Sequence, residues 1–537
     1  MRSIAIFYTI LIGLIPGWVI AQTSTTTIPR IVEKEGRHCL MVDGKPFLIL
    51  GGQAHNSSAW PALLPNVWGA IGEMHANTLE VPVYWEQIEA RPGSFDLSLI
   101  DTLLIQAREH RVRLVLLWFA TWKNGSNHYM PEWMKRDAVK YPNIQGRDGR
   151  PVDSPAPEAS ETLEADARAF AAVMRHLKRV DAAHTVIMVQ VENEPGSWGS
   201  VRNFSAAAER LFEGPVPAQL LEAGVLEALH VPVGSSGPWE KVFGARADEY
   251  FHAWSIARFI ERVAAAGKAE YSLPMYVNAA LRDPLSNPDA TSYESGGPTD
   301  NVIPIWKVAA PSIDLLAPDI YLSGSERVLK VLDLYDRRDN PLFVPEAGLI
   351  PANAKYFYSM LGHGGIGFSP FGIDDNGISE TPTQMAARLA PFAQEFTLAA
   401  PMMRELAEWT FEGKVKAVVE GEDHGDQTIE LGDWQAIITF GTGRGNNWKH
   451  NDQPMGKALI VWLDENKFIL AGTDCRISFR PIGKFAGRAW QYLRVEEGSY
   501  EKGVFKVSRI LNGDETDWGG PLFSRVPVLL KATLIVR

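Results

Sequence analysis

Two segments of this 537-residue chain end apolar runs in carboxylates. In VIMVQVENEPGSWG, residues 186–199, the β-branched run Val186 to Val191 gives way to Glu192, Asn193, Glu194, Pro195 and Gly196. In PLFVPEAGL, residues 341–349, a second run ends in one glutamate, Glu346. Such runs read as strands buried on both faces, as in a parallel sheet covered by helices. Carboxylates at their ends cannot be core residues without partners, because burying an unpaired charge is too costly. Acetal hydrolysis needs an acid to protonate the leaving oxygen, and a carboxylate to attack the anomeric carbon or activate water. Two strand-end glutamates 346 − 194 = 152 residues apart suggest such a pair. Glu192 and Glu194 compete for the first role; side chains alternate along a strand, so both are expected on one face and spacing alone does not choose.

The elements that must position these groups form an alternation of apolar strand-like runs and helical stretches from about residue 45 to 375, the signature of a parallel α/β fold. Eight strand candidates can be counted: Phe47–Gln53, Thr78–Tyr84, Arg113–Phe119, Val186–Glu192, Pro274–Ala279, Asp314–Tyr321, Leu342–Glu346 and Gly365–Phe371. Helices are expected between them, for example over 97–110 and 161–179. Eight such units predict a (β/α)8 TIM barrel, whose catalytic face is the C-terminal end of the strands. Glu194 then ends strand four and Glu346 strand seven. The competing doubly wound sheet in its nucleotide-binding form is weakened, since no GxGxxG or GxxxxGK follows any strand. The segments 120–160 and 195–245 are long, rich in Gly, Pro and Ser, and expected to sit over the catalytic face. After a helical stretch at 383–411, alternating patterns such as VKAVVEG, WQAIITFG, ALIVWLD, FKVSRIL and VLLKATLIV predict an antiparallel, sandwich-like β-domain. The expected division is a signal peptide over 1–21, a lead-in over 22–44, the barrel over 45–411 and the β-domain over 412–537.

The formal charge is 52 − 64 = −12 and there is no basic run, which argues against nucleic acid or an anionic membrane surface as partner. A neutral oligosaccharide fits better. Seventeen Trp supply both core and candidate stacking platforms for sugar rings. Arg2, the apolar residues 4–20 and Val19-Ile20-Ala21 read as an export signal cut before Gln22, so a periplasmic or extracellular protein without membrane attachment after cleavage is expected. Two cysteines, Cys39 and Cys475, make neither a disulfide scaffold nor a metal cluster. His128 lies in a loop without HExxH or Cys spacing, and no metal or other cofactor is expected.

QVENEPG at 190–196 resembles the Q-[VI]-E-N-E-[YF]-G segment of the glycoside hydrolase family 35 β-galactosidases. NTLEVPVYWEQIEARPGSFDLS (77–98) is similar to the N-T-[IV]-E-x-Y-V-x-W-N-x-H-E-P-x-P-G-x-[FY]-[DN]-F stretch of that family, and GKPFLILGGQAHNS (44–57) to its opening strand. The resemblance implies a retaining exo-β-galactosidase acting on terminal β-galactosyl residues of oligosaccharides, plant cell-wall ones included. It implies Glu194 as acid/base, Glu346 as nucleophile, Asn193 at the sugar 2-hydroxyl, and Trp85 and Glu89 on the strand-two rim. Further candidates for contact with substrate or its surroundings are Glu192, Tyr321 (against the nucleophile), Trp118, Trp122, Trp198, Asn278, His55 and Asn56. The chain departs from the family at Pro82, where a galactose-contacting Tyr is usual, at Glu86-Gln87-Ile88 for Asn-x-His, and at Trp118–Asn124 in strand three. A β-glucosidase or mannanase-type specificity, or a noncatalytic carbohydrate-binding barrel, therefore stays open at this level.

Overall fold

The computed structural model describes residues 27–375, 381–443 and 447–537. The signal peptide expected over 1–21 lies outside them. Eight parallel strands close into a barrel: β1 (Ile49–Gln53), β2 (Thr78–Tyr84), β3 (Arg113–Lys123), β4 (Val186–Asn193), β5 (Met275–Ala280), β6 (Leu315–Ile320), β7 (Val344–Ala347) and β8 (Gly367–Pro370). Each coincides with one of the eight strands expected, and β8 pairs back onto β1 with Gly367 opposite Ile49. All the residues of β2, β4, β6 and β7 are buried. A strand packed on side chains in the lumen and on helices outside has no solvent face, which is why these runs lack polar alternation. The outer layer includes Ser98–His110, Ser160–Val180 and Ala247–Glu270.

Strand one is shorter than expected. Phe47 belongs to a separate antiparallel sheet (Arg30–Lys34, Arg37–Val42, Lys45–Phe47) that occupies the lead-in. Arg404 of the helix Met403–Phe411 donates to the carbonyls of Val42 and Pro46, and Asp43 pairs with Arg113 at the start of β3. This sheet therefore lies at the N-terminal ends of the strands, away from their C-terminal ends, where Glu194 and Glu346 stand. The helical stretch at 383–411 is two helices, Pro382–Ala399 and Met403–Phe411, separated by a tight turn at Ala400–Met402. Pro401 has no N–H to continue the helical ladder there.

The C-terminal part is a sandwich of two antiparallel sheets. The larger has the spatial order Val415–Val419, Lys457–Asp464, Lys467–Thr473, Val528–Val536, Trp490–Glu501, Val504–Leu511. The smaller comprises Gln427–Leu431, Trp434–Phe440, Cys475–Pro481 and Leu522–Phe523. The period of two decides how the larger sheet is used. Ile460, Phe468 and Leu470 face the smaller sheet, whereas Leu459, Val461, Ile469 and Ala471 join the hydrophobic core of the barrel. The sandwich is thus fixed to the barrel by an apolar face, reinforced by the buried Lys457–Glu395 pair at 2.7 Å. Cys39 and Cys475 are both free and buried. Among the described residues no helix is long and apolar enough to cross a membrane.

Candidate active site

Glu346 sits at the C-terminal end of β7, where neighbouring strands aim donors at it. Its Oε1 accepts from Gln53 Nε2 of β1 (2.7 Å), Asn193 Nδ2 of β4 (3.3 Å) and Asn278 Nδ2 of β5 (3.4 Å). Its Oε2 accepts from the hydroxyl of Tyr321, just past β6, at 2.8 Å. Burial first, then the Glu346 charge, pushes the Tyr321 phenol up, so it stays a donor.

Glu194 follows β4. Its backbone N–H donates to Asn278 Oδ1 at 2.9 Å, and Asn278 Nδ2 also reaches Asp319 Oδ2 at 2.7 Å. One carboxylate oxygen from each of Glu194, Asp319 and Glu346 lies within 4.8 Å of the others. Burial first, then the Glu346 charge, raises Glu194 to about 7, while Lys123 opposes the rise. Asp319 is pushed well above the carboxylate range by burial, Glu346 and Glu194. Deeper in the barrel, burial raises Glu80 to about 8; its Oε2 accepts from the Tyr276 hydroxyl at 2.9 Å.

The expectation that Glu192 and Glu194 share a face is overturned by the backbone. Both residues have left-handed φ angles, 62° at Glu192 and 42° at Glu194, which break the strand alternation. Glu192 turns away from the lumen, accepts from the Trp122 amide at 2.7 Å and meets Asp166 of the helix Ser160–Val180. Burial and that second carboxyl raise it well above its usual range. Glu192 is a support behind β4 and lies apart from the Glu194–Asp319–Glu346 cluster.

Three tryptophans expected near sugar are also corrected. Trp85, Trp118 and Trp122 are completely buried. Because β3 runs on to Lys123, Trp118 and Trp122 share its outward face and pack against Phe170 and Phe259 of the helix layer. Trp85 donates to Glu89 Oε2 at 2.8 Å, and Glu89 Oε1 accepts from the Gly93 amide at 2.7 Å, so Glu89 shapes the turn after β2 instead of contacting substrate. Trp122→Ala is expected to destabilise the fold by about 3–5 kcal/mol, as removal of a buried aromatic does. Urea unfolding reads that loss; a purely substrate-stacking Trp would leave the midpoint unmoved.

Trp198 remains accessible, 48% exposed, and its indole N–H donates to Glu294. The backbone of His55 donates to Asp374 at 2.8 Å, its ring lies 3.3 Å from the same carboxylate, and it packs edge-on to Phe371. Tyr321 also packs edge-on to Phe371, with ring centroids 6.4 Å apart. Asn56 contributes a backbone carbonyl to Tyr129.

Four residues of the site escaped the sequence reading: Gln53, Lys123, Glu294 and Asp319. Gln53 and Asp319 carried a signal, being polar residues in or ending apolar runs. Glu294 carried none, because it lies in the loop after β5. That loop is seated on the one after β4 by the Ser197–Ser295 bridge and by Gly297, where a Cβ would stand 2.5 Å from the Pro195 carbonyl. Burial and Glu194 push Glu294 well up, and its Oε2 has no hydrogen-bond partner among the described residues.

A family model described as "Domain of unknown function (DUF5597)" matches residues 392–522. It begins within the helix Pro382–Ala399 and extends into the sandwich. No curated protein matches the chain. Among solved structures the chain is similar to a β-galactosidase from Bacillus circulans sp. alkalophilus, at 13% identity over 67% of this chain and 57% of that one, TM-score 0.48. It is similar to the catalytic domain of a β-amylase from Paenibacillus polymyxa (14% identity, 64% and 96% covered, TM-score 0.48). A β-1,4-D-mannanase from Cryptopygus antarcticus is also similar (14%, 68% and 94%, TM-score 0.41). The chain spans little more than half the length of that β-galactosidase.

Proposed function

We propose that the chain is a retaining exo-β-glycosidase, with terminal β-galactosyl residues of oligosaccharides as the favoured substrate. The observation that carries the reading is the pairing of Glu194 and Glu346 at the ends of β4 and β7, with oxygens within 4.8 Å. That separation suits direct attack on the anomeric carbon better than the wider gap an intervening water requires. In the first step a Glu346 oxygen bonds to C1 as the C1–O bond to the leaving group breaks, and Glu194 delivers its proton to the departing oxygen. In the second, water attacks C1, Glu194 takes the water proton, and the Glu346 ester bond breaks. A Glu194 pKa of about 7 lets one group serve as acid and then as base near neutrality. As Glu346 loses its charge in the glycosyl-enzyme, the repulsion that raised Glu194 disappears and the base form is favoured.

Galactose as the sugar rests on the strand-two and strand-four motifs, and Pro82 with the altered strand three favours testing glucosides and mannosides beside it. Exo action is supported by the long loops after β3, β4 and β5, which are tied together beside Glu194: the Gly125 amide donates to its carbonyl at 3.0 Å. A panel of nitrophenyl β-glycosides tests the assignment. Release from the galactoside supports it in full; preference for another β-glycoside keeps the mechanism and overturns the sugar; no turnover, with sugar bound, points to a binding protein. Export by the N-terminal segment belongs to the same proposal, checked by the N-terminus of the mature protein.

The Lys123 ammonium holds the Glu194 pKa down. Lys123→Met is therefore expected to move the basic limb of kcat/KM to higher pH, since the acid form persists longer as pH rises. An unmoved limb would detach Lys123 from the acid.

A further inference from the structure

We propose that Glu420, His424 and His450 form a zinc-binding site in the C-terminal sandwich, a site independent of the glycosidase reading. Glu420 follows the strand Val415–Val419 and is completely buried. A carboxylate in that position needs strong partners. Its Oε2 accepts from the Gly456 amide at 2.8 Å. Its Oε1 faces two imidazoles at once: His424 Nδ1 at 2.7 Å and His450 Nδ1 at 4.0 Å. The two rings are 5.1 Å apart and tilted by 36°. One ligand atom from each residue lies within 4.8 Å of the other two.

A hydrogen bond to Glu420 Oε1 needs a single imidazole, and His424 at 2.7 Å supplies it. The second imidazole turned to the same oxygen at 4.0 Å is redundant for that contact. A metal needs both. Zinc takes imidazole nitrogens at about 2.0–2.1 Å and carboxylate oxygens at about 2.0–2.2 Å, so tetrahedral ligand atoms stand roughly 3.3 Å apart. The observed spacings straddle that value, and a small rotation of the half-exposed His450 ring closes the set. Two nitrogens and one carboxylate select a zinc-class cation over calcium or magnesium, which prefer oxygen alone. His424 adopts a left-handed φ of 54° and its ring nitrogen meets the Glu420 carboxylate. Both rings reach solvent, with side chains 26% and 46% exposed, which leaves a route for the ion and room for a water as fourth ligand.

The position gives the ion a structural task. The Glu420 carbonyl accepts from Lys355 Nζ at 2.9 Å, and Glu422 accepts from the Ser325 amide at 2.7 Å. Ser325 opens the helix after β6, and Lys355 lies in the segment after β7. Those are the strands that deliver Asp319 and Glu346. Zinc would tie the loop at 420–426 to that at 447–456 and brace both against the barrel. Nothing in the sequence flags the set, because His450 stands 26 residues beyond His424.

The full chain, stripped with a chelator and dialysed, is titrated with zinc chloride by calorimetry, with bound metal counted by elemental analysis. One zinc per chain is expected, with a Kd of about 1 µM or tighter and a Tm that climbs with zinc concentration. The His424→Ala/His450→Ala double variant should lose at least about 100-fold in affinity and the zinc-dependent Tm shift. If that variant fails to fold, His450→Gln alone, at the more exposed ligand, carries the comparison. Cobalt in place of zinc should show the intense visible bands of a four-coordinate site in the wild type only. Absence of stoichiometric zinc, uptake unchanged in the variants, or preference for calcium would each overturn the proposal. Glycoside turnover is a separate readout, so failure of the zinc site leaves the catalytic reading standing, and the reverse.

Discussion

Glu346→Gly is expected to lower kcat by roughly 10⁴- to 10⁶-fold, the scale of losing a covalent nucleophile, while the protein keeps its fold and binds sugar. The residue is small enough to leave a hole facing C1 and removes the group that Gln53, Asn193, Asn278 and Tyr321 hold in place. Azide or formate entering that hole attacks from the vacated face, so a β-glycoside should yield an α-glycosyl azide. Product configuration by NMR is the measurement. Turnover near the wild-type rate would remove Glu346 from the mechanism. The variant should also lower the pKa of Glu194, because the second-largest cause of its elevation has gone.

Glu194→Ala should have the next largest effect, and it depends on the leaving group. Sugars and alkyl alcohols need protonation as they depart, so kcat/KM for a disaccharide is expected to fall by about 10²- to 10⁴-fold. A dinitrophenyl glycoside, whose phenolate leaves unaided, should form the glycosyl-enzyme at close to the normal rate and then stall, giving a burst. Azide should restore turnover and give the β-glycosyl azide, the opposite configuration from that at Glu346. The pH profile supplies the sign check. In the wild type the acid must be protonated, so kcat/KM for poor leaving groups falls as pH rises through about 7; in the variant that limb should vanish. Equal losses for good and poor leaving groups, or the same azide anomer from both variants, would contradict the roles assigned to the two residues.

Much of the barrel was legible in the chain because its strands are covered on both sides. Runs such as Val186–Val191 have no polar alternation, and the eight of them could be counted directly. Their ends were legible too, since a carboxylate or amide that abruptly follows an apolar run has to be used or paired. Asn193 and Asn278 were legible this way, Tyr321 as the polar end of the Asp314–Tyr321 run, and all three lie beside Glu346. In the sandwich, the alternating strands Trp434–Phe440 and Lys457–Asp464 were visible. The irregular Trp490–Glu501, half exposed and shifted in register against both neighbours, was not.

By itself the sequence determined which residues could do chemistry and on which strands they stand, because residue type and hydrophobic period are local properties. Only the tertiary structure decided which way they point and what meets them. A left-handed residue in β4, Glu192, and another just past its end, Glu194, send Glu192 behind the strand and Glu194 into the lumen, and backbone sign is not written in side-chain pattern. Four extra residues of β3 turn Trp118 and Trp122 into packing for the helices. Asp319, Lys123 and Glu294 come to Glu194 from three other segments, and the charge they share is set by distances that exist only once the barrel has closed.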